Sequence, residues 1–143
     1  MALSPADPLA HRVLESLLRA DAALRRALFA ELQREGLSAS GFSVLLLLLT
    51  AGGELELRAI RQRLRTSKAN LAEVIATLQA RGLVTRRRLS SDRRAAVITL
   101  SESGREIVER LFPQYTGRVR EVFSVLDDEE KRSLMNICRK LAA

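Results

Sequence analysis

The positive charge of this 143-residue chain, a formal net +7 at pH 7, is confined to one third of it. Residues 54–100 carry eleven Lys or Arg against four Asp or Glu, whereas residues 1–53 carry five against five and residues 101–143 eight against eight. The fold must therefore set one compact basic module between two charge-balanced, apolar-striped segments. A duplex phosphate backbone attracts such a module; the plainer alternative is a solvated basic face. The length suits one domain with helical extensions. With 47% hydrophobic and 29% charged residues the chain is globular in composition. It has no Trp, one Tyr and four Phe. Its core is therefore aliphatic, and aromatic platforms for stacking single-stranded nucleic acid are lacking.

Other classes are disfavoured on residue grounds. The longest apolar run, residues 44–49, is too short to span a bilayer, and the N-terminus lacks the basic-then-apolar pattern of a signal peptide. A cytoplasmic location with no membrane partner is the default expectation. One cysteine, Cys138, rules out an intrachain disulfide and a cysteine-cluster metal site, and no cofactor is expected. The single histidine, His11, lies four residues from Glu15 on an expected helix, which suits a surface pair rather than a general base. With no Gly-rich phosphate loop and no paired carboxylates in an apolar setting, an enzyme is not expected.

Local signals divide the chain clearly. Asp7 followed by Pro8 marks a helix start. From there apolar residues at Leu9, Val13, Leu17, Leu24, Leu28 and Leu32 trace one long amphipathic helix, stopped by Gly36. Its stripe exceeds what a small core needs and suggests a partner chain. Ser38 or Ser40 caps a second helix, apolar nearly all round and ended by Gly52 and Gly53. A third, over residues 56–64, buries Leu57, Ile60 and Leu64 while Arg58, Arg61 and Arg63 face out. Thr66 or Ser67 recaps a fourth, ending at Gly82, that buries Leu71, Val74, Ile75 and Leu78. Two short helices joined by a tight turn form the helix-turn-helix pattern.

Residues 83–89 and 95–100 then read as a hairpin around a turn at Ser90, Ser91, Asp92 and Arg93, with Val97 and Leu100 as inward anchors. A hairpin directly after a recognition helix is a wing. Ser101 caps a fifth helix, which Pro113 and Gly117 are expected to bend or interrupt. Asp127 with Glu130 caps a sixth, carrying Leu134, Ile137, Cys138 and Leu141 on one face. The expected fold is mainly α with a small β wing: a winged helix-turn-helix lobe over residues 37–100, between dimerisation helices at 7–35 and 101–143.

The stretches LRTSKANLAEVIATLQARGLVTR (residues 64–86) and SSDRRAAVITLSESG (residues 90–104) resemble the MarR-type winged-helix transcriptional regulators. In that family the first holds the recognition helix and the Gly-Leu-Val-x-Arg entry to the wing. The second holds an Asp-x-Arg wing tip and a Leu-Ser/Thr-x-x-Gly exit. The resemblance implies a homodimer on a near-palindromic operator in double-stranded DNA, with repression as the expected mode. It also admits a small-molecule effector that releases the DNA, although no polar cluster marks a pocket for one. The implied DNA-binding residues are Arg65, Ser67, Lys68, Asn70, Glu73, Thr77, Arg86, Arg88, Asp92, Arg93 and Arg94. Of these, Ser67, Lys68 and Asn70 would approach the major groove. Arg94 would enter the minor groove, oriented by Asp92, because planar arginine suits narrow grooves. The implied dimer interface is Leu9, Val13, Leu17, Leu111, Leu134, Ile137 and Leu141.

Two departures qualify the resemblance. The face of the recognition helix opposite Leu71 and Leu78 holds Ala69, Ala72, Glu73, Ala76 and Thr77, where many relatives place an arginine or polar group near Glu73 and Ala76. Glu can accept from a cytosine amino group and Ala can touch a thymine methyl, but a carboxylate repels phosphate. The redox-sensing branch of the family uses an N-terminal cysteine, whereas Cys138 lies in the last helix and reads as a packed or interface thiol. The alternative function is a winged-helix interaction module whose basic face meets an acidic partner; salt-dependent binding to a random duplex separates the two.

Overall fold

A computed structural model describes residues 6–89 and 95–143. Six helices and three strands follow in the order α1 (Pro8–Arg34), α2 (Ala39–Thr50), β1 (Glu54–Glu56), α3 (Leu57–Leu64), α4 (Lys68–Ala80), β2 (Val84–Arg88), β3 (Ala96–Leu100), α5 (Glu102–Phe123) and α6 (Asp128–Ala142). The chain resolves into two compact units. One combines the residues up to Ala30 with Tyr115–Ala143, and the other is Glu31–Gln114. The second unit thus holds the last turn of α1 and the first part of α5 as well as everything between them.

Local chemistry sets most helix ends. The Asp7 carboxylate accepts from the Ala10 amide at 3.0 Å, and the Ser38 hydroxyl from the Gly41 amide at 2.9 Å. Asp127 and Glu130 form a reciprocal capping box at the start of α6. The α1 and α4 ends share one device: Gly36 and Gly82 adopt left-handed backbone (φ +72° and +71°), and the next residue's amide reaches back to Leu32 and Leu78 respectively.

The Glu31–Gln114 unit carries the aliphatic core. Phe42, Val44, Leu45 and Leu48 of α2 pack with Ile60, Leu71, Ile75 and Leu78 of the helix pair, and no charged or polar residue among those described is buried. The sheet is antiparallel in the order β1-β3-β2. The expected hairpin therefore gains a strand, β1, that the sequence reading did not contain. Three residues with one apolar position leave no periodic signal; β1 exists by pairing Leu55 with Ile98 and Glu56 with Val97. Its arrival makes β3 the central strand, and the expected anchors Val97 and Leu100 are both buried. They lie on opposite faces, and the residues buried most deeply are Ile98 and Ala96.

The β3–α5 junction explains the exit motif. The Ser101 hydroxyl donates to the Gly82 carbonyl at 2.6 Å and accepts from the Gly104 amide at 3.0 Å, while the Ser101 amide donates to Leu83. A Cβ at Gly104 would lie 2.1 Å from the Leu83 carbonyl oxygen, so only glycine admits this approach. The motif is thus a clasp at the base of the wing.

Three further expectations change. α5 runs unbroken through Pro113 to Phe123. Proline removes one helical hydrogen bond, and turns on either side stay packed through Leu111, Val119 and Phe123. Val74, like Leu57 and Leu64 of α3, is half-buried rather than core. Glu15 pairs with Arg19 at 2.8 Å instead of with His11.

Candidate nucleic-acid interface

α3 and α4 meet at a turn whose backbone is unusual. Arg65 caps α3 in the left-handed region (φ 50°), and its amide donates to the Arg61 carbonyl. Glycine or asparagine holds such a position at lower cost, so a bulky cation is kept there against backbone preference. Ser67 then caps α4, its hydroxyl accepting from the Asn70 amide at 3.1 Å. No acid stands in the first turn of α4; Lys68 stands there instead, adding charge to the positive end of the helix dipole.

Between the two helices lies a cleft of about 180 Å³ with Leu57, Leu71 and Ala72 as its apolar walls and Arg58, Arg61 and Lys68 around it. None of these three cations has a carboxylate partner among the described residues. Arg58 and Arg61 were not among the expected site residues. Their signal was nevertheless present, because they stand three apart on α3 and straddle buried Ile60.

Leu71, Ile75 and Leu78 turn one face of α4 into the core and leave Ala69, Ala72, Glu73, Ala76 and Thr77 exposed on the other. The Thr77 hydroxyl donates to the Glu73 carbonyl at 3.0 Å, which commits its proton to the helix itself. Lys68, Asn70 and Glu73 are exposed and form no ion pair with one another, so they project as separate groups.

The strand register sorts the arginines of β2. Arg86 pairs with Ile98 and Arg88 with Ala96, so both share the sheet face of Val84, Ile98 and Ala96 that the helices cover. Arg87 pairs with Val97 and lies on the opposite, solvated face with Thr85, Glu54 and Glu56. Arg86 and Arg88 thus extend from the α4 side of the sheet and Arg87 from the other. Asp92, Arg93 and Arg94, expected at the wing tip, lie outside the described residues.

In the other unit, α1 and α6 border a groove of about 490 Å³ lined by Leu9, Val13, Leu17, Leu134, Ile137 and Leu141, with Cys138 at its wall. All six apolar residues are exposed, Leu9 at 68% and Leu134 at 38%. Leu111, expected beside them, is a core residue of the Glu31–Gln114 unit at 3% exposure and offers no surface to a partner. Helical periodicity gave it the same apolar phase as its neighbours but not which unit it enters. Among the described residues there is no cluster able to hold a metal ion and no helix long and apolar enough to cross a membrane.

Comparison with known proteins agrees with this geometry. The sequence model of the MarR family matches residues 37–96. The HTH-type transcriptional regulator YkoM of Bacillus subtilis is 29% identical over 108 residues, 76% of this chain and 70% of that protein. Among solved structures, Sco3205, a MarR family transcriptional regulator from Streptomyces coelicolor in complex with DNA, superposes with a TM-score of 0.86 at 25% identity, covering 99% of this chain and 90% of that one. Bordetella bronchiseptica BpsR, whose DNA binding is regulated by 6-hydroxynicotinic acid, gives a TM-score of 0.72 at 24% identity, over 98% of each chain.

Proposed function

We propose that the chain is a transcriptional regulator of the MarR type, whose family model matches residues 37–96, and that it is a homodimeric repressor that binds a near-palindromic operator in double-stranded DNA. The observation that carries the reading is the basic surface of the helix-turn-helix, which has no carboxylate partners among the described residues. Arg58, Arg61 and Lys68 ring the α3–α4 cleft, and Arg86 and Arg88 extend from the same side of the sheet. Cations without protein carboxylates are free to replace the counterions of a phosphate backbone.

Base reading falls to the exposed face of α4 and to the wing. Lys68, Asn70, Glu73 and Thr77 meet the major groove, while Arg94, supported by Asp92 and Arg93, takes the minor groove. Because that helix face is mostly alanine, direct readout is thin and the cations supply most of the affinity. The gap between operator and random duplex is then near the low end of the usual ~10³–10⁷. Selection of bound duplexes from a random pool tests this directly: two enriched half-sites related by a dyad are expected, and no enrichment would overturn the reading. Glu73→Ala refines it. A rise in affinity for every duplex means that Glu73 only repels phosphate; a fall for the operator alone means that it reads a cytosine.

The dimer rests on the α1–α6 groove and on α6, a fifteen-residue helix that buries no residue in the single chain. An effector that loosens the operator complex, as 6-hydroxynicotinic acid regulates DNA binding by BpsR, belongs to the same proposal. Its test is a titration of small aromatic acids against the operator complex.

A further inference from the structure

Beyond its first turn, α4 buries Ile75 and Leu78 in the core but leaves Glu73 and Thr77 exposed beside an open groove. The groove, of about 290 Å³, runs between α4 and the α1–α2 corner, bordered by Gly36, Ser38, Glu73, Val74, Thr77 and Arg81. Apolar contact across that corner comes from Leu78, whose Cδ2 would lie 3.5 Å from a Cβ on Gly41. The polar tie is Arg81, the C-cap residue of α4, whose Nη1 donates to the Gly36 carbonyl at 2.9 Å.

Gly36 suits that role in two ways. Its left-handed backbone ends α1, and a Cβ there would touch the Arg81 guanidinium at 3.4 Å. The corner is fixed from its other side by Glu35. The Glu35 carboxylate accepts two hydrogen bonds from the Arg110 guanidinium of α5, at 2.7 and 3.0 Å. All four residues belong to the Glu31–Gln114 unit. Arg81 therefore ties α4 to a corner that is itself anchored to α5. Glu73 and Thr77, the groups assigned to base reading, border the groove that this tether spans.

We infer that Arg81 is a positioning residue for DNA recognition: by holding the Gly36 carbonyl it sets the tilt of α4, and so the placement of Glu73 and Thr77 against the bases. This deepens the proposed DNA-binding function and rests on it. The rival role for an exposed arginine is a direct phosphate contact, and the two roles leave different signatures. A positioning group acts on sequence discrimination; a phosphate contact acts on every duplex and on the salt dependence.

The experiment measures the full-length protein and its Arg81→Ala and Glu35→Gln variants against the selected operator and a random duplex across a salt series. Arg81→Ala is expected to weaken operator binding about five- to tenfold, the net scale of one lost solvent-exposed hydrogen bond, with random-duplex affinity and salt slope unchanged. Glu35→Gln is expected to give a smaller loss of the same pattern, although Glu35 bears no charge that attracts DNA. Equal losses on both duplexes, with the slope of Arg81→Ala reduced by about 0.9, would overturn the inference in favour of a phosphate contact. Unchanged discrimination in both variants would overturn it as well. Amide exchange in the DNA-free protein supplies an independent readout: the amides of residues 76–80 should exchange faster in Arg81→Ala while those in α2 do not, and equal rates would count against the tether. A wild-type protein that binds no duplex would sink the DNA reading itself, yet the exchange measurement would still judge the tether.

Discussion

α2 and α6 are helices of similar length with opposite surroundings. The twelve residues of α2 include five buried ones, whereas the fifteen of α6 include none. The apolar residues of α2 surround its axis, and α3, α4 and the sheet pack on it from several sides. Those of α6 form a stripe on a helix otherwise covered by charges, beside a groove shared with α1. A helix is buried by neighbours and not by its own hydrophobicity, and the missing neighbour of α6 is assigned to a second copy of the chain. The Glu31–Gln114 unit therefore holds the aliphatic core, while under the proposed dimer the exposed stripe of α1 and α6 is covered only on association.

The sharpest break between the two regions lies within α5, which has a glycine in each. Gly104→Ala drives a methyl onto the Leu83 carbonyl and should cost more than about 4 kcal/mol or abolish folding. Gly117→Ala meets nothing within 4 Å and should stabilise by about 1 kcal/mol, as alanine does in a helix interior. Urea unfolding of the two variants checks this, and similar effects would remove the distinction. Next in size, Leu45→Ala should cost about 2–5 kcal/mol and leave the association state intact. Leu134→Asp should instead dissociate and unfold the protein together. Sedimentation separates them, and a folded wild-type monomer at micromolar concentration would break the comparison outright.

Within the basic lobe the contrast is between the two faces of β2. Arg86→Ala should weaken binding to all duplexes and lower the salt slope by about 0.9, while Arg87→Ala, on the far face, should change neither. Arg65→Gly opposes two effects at a single position. It should relieve left-handed strain worth about 1 kcal/mol, raising the urea midpoint, while weakening DNA binding through loss of a cation. The smallest effect concerns the exposed Glu35–Arg110 pair. The bidentate bond to Arg110 holds the Glu35 carboxyl below its ordinary range, and the same bond raises Arg110. A depressed carboxylate contributes stability above the unfolded value and loses it as pH falls through the folded one. The difference in urea midpoint between wild type and Glu35→Gln should therefore hold at pH 7 and shrink only below about pH 4. A difference that vanished near neutrality would contradict the pairing.

Much of this was legible in residue order. The caps at Asp7, Ser67 and Asp127, the stops at Gly36 and Gly82, and the stripe of α4 are local features, set by groups within four residues of each other. The confinement of positive charge to residues 54–100 is likewise a property of composition, and it located the basic lobe without any coordinates.

Tertiary structure decided what depends on distant partners. β1 is a strand because β3 passes beside it, and that passage made Ile98 the deepest residue of the sheet. Leu111 and Leu134 read alike as helical apolar positions, yet packing buried Leu111 inside the Glu31–Gln114 unit and left Leu134 exposed in the other unit. The ties from Arg81 to Gly36 and from Arg110 to Glu35 span 45 and 75 residues. A helix period records which face of a segment avoids water, but it carries no information about which other segment covers that face. Sequence alone therefore determined the elements and the sign of the surface they would present, whereas the strand order, the clasp at Gly104 and the tether of α4 arose only when those elements met.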